Sequence, residues 1–123
     1  MYARILVGTD GSATAARAVD RAVEVATAAD SELTIMCVGS PERTKRVLDA
    51  ELERLRSRTA TVEIRAVATE GDPASCLVDA AADFDLLVVG NKGMTGASRF
   101  FLGSVPNKVS HHVPSSMLIV RTT

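Results

Sequence analysis

Apolar and polar positions follow two periods along this chain, and each period predicts a kind of element. Short aliphatic or alternating runs predict five strands, over residues 2–9, 32–39, 61–69, 85–89 and 116–121. Apolar residues at helical spacing predict four helices, over residues 13–29, 42–58, a segment that begins at Pro73, and 104–112. Ser12 and Asp72 are expected to cap the first and third helices, and the third is expected to carry Phe84.

The order of these elements predicts the fold class. Three strands contain near-continuous aliphatic runs, at residues 5–7, 86–89 and 118–120. Such runs suit parallel strands that helices cover on both faces. Alternating strands and helices with right-handed crossovers predict an α/β fold, a five-stranded parallel doubly wound sheet, in one domain over residues 1–123. Ligands of such sheets bind beyond the carboxyl ends of the strands, where residues 9–12 and 90–97 are expected to meet.

Composition and charge exclude several classes of function. The chain has 14 basic and 15 acidic residues, a net charge of -1 and 3% aromatic residues, so nucleic-acid binding is not expected. No signal peptide is seen and no apolar run approaches the ~20 residues of a membrane span, so we expect a cytoplasmic protein with no membrane partner. Cys37 and Cys76 are expected to be reduced thiols. Adjacent helix positions diverge by about 100°, so no metal site is expected at His111 and His112.

A glycine-rich segment after the fourth strand is the strongest candidate for chemistry. It consists of Gly90, Asn91, Lys92 and Gly93, and Gly103 with Ser104 follows nine residues later. Glycines let the backbone approach a ligand, and a helix start offers free N–H groups to an anion. Asn91, Lys92 and Arg99 add donors or positive charge. The segment therefore predicts a phosphate site, but it lacks the Gly-Lys-Ser/Thr ending of loops that catalyse fast phosphoryl transfer.

These residues carry a resemblance to a known family. Over essentially its whole length the chain resembles the universal stress proteins. Their nucleotide-binding branch has the motif Gly-x2-Gly-x9-Gly-Ser/Thr, which Gly90, Gly93, Gly103 and Ser104 match. Residues 5–12 resemble the family's first strand and acidic turn, and the strands at 85–90 and 118–120, the latter after Pro114, also match.

The resemblance implies a Rossmann-like fold with strand order 3-2-1-4-5 and an adenine-nucleotide site. The ligand it implies is ATP, with Mg²⁺ able to sit beside Asp10, and cyclic AMP (cAMP) is the alternative because Pro106 removes one N–H that a triphosphate would use. Only Ser40 and Pro41 separate the second strand from the second helix, where many relatives have a longer segment. The resemblance and the chemistry of the glycine-rich segment together give the predicted binding residues, which are Thr9, Asp10, Val38, Val89, Gly90, Asn91, Lys92, Gly93, Arg99, Gly103, Ser104 and Val105.

The function that follows is a regulatory, stress-response module that binds ATP. No residue stands out as a positioned general base, so we expect at most slow hydrolysis. A weak ATPase and a nucleotide-free dimerisation module remain the alternatives. The resemblance also implies a homodimer through the last strand, from Met117 to Thr123, because that strand is aliphatic and expected at an edge of the sheet.

Overall fold

The computed structural model describes residues 2–58, 61–90 and 115–121, and these form one parallel sheet with helices around it. The strands are β1 (Arg4–Gly8), β2 (Glu32–Val38), β3 (Ile64–Thr69), β4 (Leu86–Gly90) and β5 (Ser116–Val120), and the helices are α1 (Ala13–Ala29), α2 (Pro41–Leu55) and α3 (Pro73–Ala81). The strand order β3-β2-β1-β4-β5 confirms the predicted fold. No helix in these three stretches has both the length and the apolar character to cross a membrane. The helix predicted over residues 104–112 lies outside the described residues.

The hydrophobic core forms two layers, one on each face of the sheet, because successive strand residues point to opposite faces. The first layer joins the strands to α1 and α2, through Ile5, Val7, Val19, Ala22, Leu33, Ile35, Leu48, Leu55 and Val88 among others. The second joins them to α3, through Leu6, Leu87 and Val89 against Ala74, Leu77 and Ala81. Helices therefore cover both faces, which is the doubly wound arrangement that the aliphatic runs predicted.

The two edge strands are less covered than the central ones. Val67 on β3 is 39% exposed and Ile119 on β5 is 46% exposed, whereas residues 5–7 and 86–89 are buried. The expectation of cover on both faces therefore holds for the two central aliphatic runs but not at Ile119. An edge strand has one neighbour instead of two, so its side chains meet solvent more readily.

The third helix is shorter than the sequence predicted, and the placement of Phe84 in it is wrong. The helix ends at Ala81, after which the N–H of Phe84 donates to the carbonyl of Ala81 at 3.0 Å in a closing turn. Phe84 continues the helical spacing of apolar residues because it packs against the second core layer. Its ring also lies 4.7 Å below the guanidinium carbon of Arg4. The apolar spacing therefore indicated correctly that Phe84 packs against the core, but Phe84 does so after the end of the helix.

Asp85 joins β1 to β4 at the amino ends of the strands, opposite the candidate site. Its Oδ2 accepts the backbone N–H groups of Ala3 and Arg4, each at 2.9 Å. These two hydrogen bonds to the ionised carboxylate hold the pKa of Asp85 below its usual value. The same residue donates its own N–H to the carbonyl of Arg4 at 2.8 Å, so the register of the two strands is fixed from this end.

Candidate functional site

The carboxyl ends of β1, β2 and β4 lie side by side at one edge of the sheet. Gly8 pairs with Met36, and Val7 pairs with Val88, so the three strands end at nearly the same level. The N–H of Thr9 still donates to the carbonyl of Met36 at 2.9 Å, which ties the chain leaving β1 to β2. This is the edge at which doubly wound sheets bind ligands. Of the residues predicted to bind, the structure places five here, namely Thr9, Asp10, Val38, Val89 and Gly90.

The turn between β1 and α1 is closed by its own side chains. The N–H of Gly11 donates to Thr9 Oγ1 at 3.1 Å, and the N–H of Ser12 donates to Asp10 Oδ1 at 2.9 Å. Ser12 Oγ accepts the N–H of Ala15 at 3.1 Å, which confirms Ser12 as the cap of α1. Gly11 has a φ of +85°, a conformation that residues with a Cβ rarely adopt. The turn is therefore formed before any ligand arrives.

Asp10 presents one carboxylate oxygen that the described residues do not use. The side chain is half-buried, and Oδ1 accepts the N–H of Ser12. Oδ2 accepts no hydrogen bond from any residue in the described stretches. One fixed oxygen orients the carboxylate, and the other remains an acceptor for a ligand hydroxyl or amine. Thr9 differs, because it is only 4% exposed and its hydroxyl serves the N–H of Gly11.

The end of β2 leads into α2 through two residues, Gly39 and Ser40. Val38, the last residue of β2, is half-buried against the second core layer. The N–H of Gly39 donates to the carbonyl of Thr69 at 2.9 Å, and Ser40 caps α2. The sequence predicted Ser40 and Pro41 as the connection, but Pro41 is the first residue of the helix, where its missing N–H costs no hydrogen bond. The helix therefore begins directly above this edge of the sheet.

Arg43, in the first turn of α2, is a residue of this edge that the sequence analysis missed. Its Nη2 donates to the backbone carbonyl of Asp10 at 3.3 Å, across 33 positions of the sequence. The charges of Arg43 and Asp10 also act on the thiol of Cys37, near the end of β2. Burial raises the pKa of the Cys37 thiol, the positive charge of Arg43 lowers it, and the negative charge of Asp10 raises it. The two-residue connection indicated that α2 begins near the strand ends, but nothing in the local sequence indicated the contact of Arg43 with Asp10.

The end of β4 offers backbone rather than side chains. The Val89 side chain is fully buried in the second core layer, and Gly90 pairs with Val120 of β5. The remaining residues predicted to bind lie outside the described residues; they are Asn91, Lys92, Gly93, Arg99, Gly103, Ser104 and Val105. Pro106, His111, His112 and Pro114 also lie outside them. The described half of the site is therefore the half near β1 and β2.

Comparisons with known proteins agree on one family. The model of the universal stress protein family matches residues 1–121. A universal stress protein of Mycobacterium tuberculosis is 35% identical over 144 aligned positions, covering 99% of this chain and 98% of that protein. A crystal structure of a universal stress protein in complex with cAMP is 35% identical, has a TM-score of 0.83 and covers 99% of this chain and 98% of that one. A universal stress protein from Archaeoglobus fulgidus in complex with dAMP, 20% identical with a TM-score of 0.73 and 98% coverage of both chains, shares the fold.

Proposed function

The chain belongs to the universal stress protein family, and on that premise we propose that it binds an adenine nucleotide at the carboxyl ends of β1, β2 and β4. The observation that carries the proposal is the carboxylate of Asp10, with Oδ1 bound in the turn and Oδ2 left without a partner among the described residues. A carboxylate oxygen held in this way suits the hydroxyl groups of a ribose. The strand ends beside it offer backbone groups and an aliphatic wall, which suit a purine.

Each part of the ligand has a proposed partner. Asp10 accepts from the ribose, and the backbone of Val38 contacts the adenine. The phosphates are proposed to bind the glycine motif of Gly90, Gly93, Gly103 and Ser104, together with Val105. Thr9 supports the turn from below, since its hydroxyl already accepts the N–H of Gly11. Asn91, Lys92 and Arg99 are proposed to add donors and positive charge.

ATP is the nucleotide that we propose from the glycine motif, and Mg²⁺ would be held by the phosphates, beside Asp10. Oxygen ligands of this kind are those that Mg²⁺ prefers, and the metal would supply charge neutralisation at the phosphates. One observation favours cAMP as a second candidate. The structure in complex with cAMP is 35% identical to this chain over nearly its full length. The single negative charge of cAMP also needs fewer donors than a triphosphate.

Calorimetric titration of nucleotide-stripped protein tests this proposal. ATP, with and without Mg²⁺, and cAMP are titrated into the wild type, Asp10→Asn and Gly103→Val. Asp10→Asn is informative because an amide oxygen still accepts the N–H of Ser12, while an NH₂ donor replaces the Oδ2 acceptor. We expect weaker binding by Asp10→Asn with an unchanged melting temperature. If neither nucleotide gives heat of binding, the proposal is contradicted, and the nucleotide-free dimerisation module becomes the favoured function.

The proposed role is regulatory, with the bound nucleotide as a signal and at most slow hydrolysis. ATP hydrolysis whose rate scales with protein concentration and disappears in Asp10→Asn would favour the weak ATPase instead. The proposal keeps a cytoplasmic location, in line with the two free thiols of Cys37 and Cys76. It also keeps a single domain over residues 1–123, which predicts one cooperative unfolding transition.

A homodimer through β5 and the residues up to Thr123 is also part of the proposal. β5 is an edge strand, and Ile119 on it is 46% exposed. An exposed aliphatic edge favours pairing with a second copy. We expect Ile119→Lys to shift the protein to monomer on a sizing column. Val67→Lys is the matched control, since Val67 is 39% exposed on β3 at the other edge. A dimer that survives Ile119→Lys, or is lost in Val67→Lys, would contradict this interface.

A further inference from the structure

The first turn of α2 holds a basic side chain where helix stability alone does not favour one. Arg43 lies three residues after the cap Ser40, at the end of the helix where the dipole is positive. The residue is half-buried, and its Nη2 donates to the carbonyl of Asp10 at 3.3 Å. The side chain therefore joins two turns that are far apart in the sequence, the one after β1 and the one after β2.

Space for this contact comes from Gly39. A Cβ at Gly39 would lie 3.2 Å from Nη1 of Arg43, which is tighter than an ordinary contact. A larger residue there would have to push the guanidinium aside. The contact between Arg43 and Asp10 therefore depends both on the short connection and on a glycine at position 39.

The contact holds the backbone of Asp10 from α2, while the carboxylate of Asp10 is held from the start of α1. Ser12, at the start of α1, binds the carboxylate through Oδ1, and Arg43 binds the carbonyl of the same residue. With the carboxylate and the carbonyl of Asp10 both held, the free Oδ2 is kept in one orientation. A side chain that is ordered in advance loses less conformational entropy when a ligand binds.

We propose that Arg43 is a positioning residue for the nucleoside end of the site: it binds the Asp10 carbonyl and so presents the Asp10 carboxylate to the ribose. This inference rests on the proposed nucleotide function and names a determinant of its affinity. Arg43 acts through Asp10, so its loss weakens the contact with the nucleoside. Adenosine and cAMP share the ribose 2′-hydroxyl, so the affinity for adenosine, which has no phosphate, then falls by the same factor as the affinity for cAMP. If Arg43 instead formed a direct ion pair with a phosphate, its loss would weaken the binding of cAMP alone.

The variants are Arg43→Met, which removes the donors, and Arg43→Lys, which keeps the charge and one donor nitrogen. Arg46→Met is the matched control. Arg46 lies one turn further along α2 and is exposed. Arg43 and Arg46 both line an open groove of about 630 Å³ between α1 and α2. Two quantities are measured for each variant. One is the dissociation constant for adenosine and for cAMP, and the other is the amide hydrogen exchange of Gly11 and Ser12 in the ligand-free protein.

We expect Arg43→Met to weaken the binding of adenosine and of cAMP by the same factor, roughly two- to tenfold, which is the cost of ordering one side chain on binding. In Arg43→Met, amide hydrogen exchange at Gly11 and Ser12 is expected to become faster. Arg43→Lys is expected to recover part of the affinity and part of the protection from exchange, and Arg46→Met is expected to change neither quantity. A loss confined to cAMP would overturn the proposal. Unchanged exchange in Arg43→Met would also overturn it. If the wild type binds neither ligand, the proposed function fails, and the exchange data alone decide whether Arg43 holds the turn.

Discussion

Gly11→Ala is the substitution for which the structure gives the clearest energetic expectation. Gly11 has a φ of +85°, and a residue with a Cβ in left-handed backbone costs roughly 1–2 kcal/mol. A Cβ built at Gly11 would also lie 3.1 and 3.2 Å from the two Cγ atoms of Val47 on α2. Crowding of this kind adds about 1 kcal/mol or more. We therefore expect Gly11→Ala to lower the free energy of unfolding by about 2–3 kcal/mol.

A double-mutant cycle with Val47→Ala separates the two causes. Truncating Val47 removes both Cγ atoms, so Gly11→Ala in that background is expected to cost only the backbone part, about 1–2 kcal/mol. The difference between the two backgrounds, about 1 kcal/mol, is the contact energy. Equilibrium urea unfolding of the four proteins measures each value.

Two results would refute this reasoning. An equal cost in both backgrounds would mean that Gly11 does not lie against Val47. A neutral or stabilising Gly11→Ala would mean that the turn has no positive φ there, since alanine in compatible backbone stabilises by about 0.4–1 kcal/mol. The second result would also remove the structural basis for how Asp10 is held.

Three further predictions test the core, the sheet register and the thiols. Leu87→Ala, at a fully buried position of the second core layer, is expected to cost about 2–5 kcal/mol in urea unfolding, and a cost below 1 kcal/mol would contradict its burial. Because the pKa of Asp85 is lowered in the folded protein, its carboxylate stabilises the fold above the unfolded pKa, and this stabilisation is lost as the pH falls through the folded pKa. Asp85→Asn is therefore expected to make the melting temperature less dependent on pH below about pH 4, and an unchanged pH dependence would contradict this. In native protein a disulfide reagent is expected to modify half-buried Cys76 well before Cys37, whose thiol is fully buried and has a raised pKa; equal rates would contradict the structure.

Much of the fold follows from the sequence because its central elements are buried and strongly periodic. The bounds of α1 agree with the sequence at both ends, since alanines and valines repeat at helical spacing between Ser12 and a left-handed Asp30. The order of the strands follows from the family resemblance. At Phe84 and at the start of β3, which is Ile64 instead of residue 61, apolar spacing continues outside the regular element. The second helix was also predicted too long, because α2 ends at Leu55 instead of residue 58.

The site divides in the same way. Ser12 could be predicted as a cap because a strand end followed by a serine is a local signal, and the structure confirms it. Asp10 was named from the family resemblance, and its contact with a ligand stays a prediction. Arg43 could not be predicted, because its contact with Asp10 depends on where α2 crosses the end of the sheet. No local pattern encodes a hydrogen bond between two turns on different strands. Contacts of this kind emerge only when the elements are assembled.

The central claim is that an adenine nucleotide binds at the carboxyl ends of β1, β2 and β4, and an NMR titration of backbone amides with cAMP tests it most directly. We expect saturable shifts at residues 9–12, 38–39 and 89–90, and small shifts at the amino ends of the strands around Asp85. The same titration of Asp10→Asn is expected to saturate only at higher cAMP concentration. Shifts that cluster away from these three strand ends, or no shifts with either cAMP or ATP, would contradict the account.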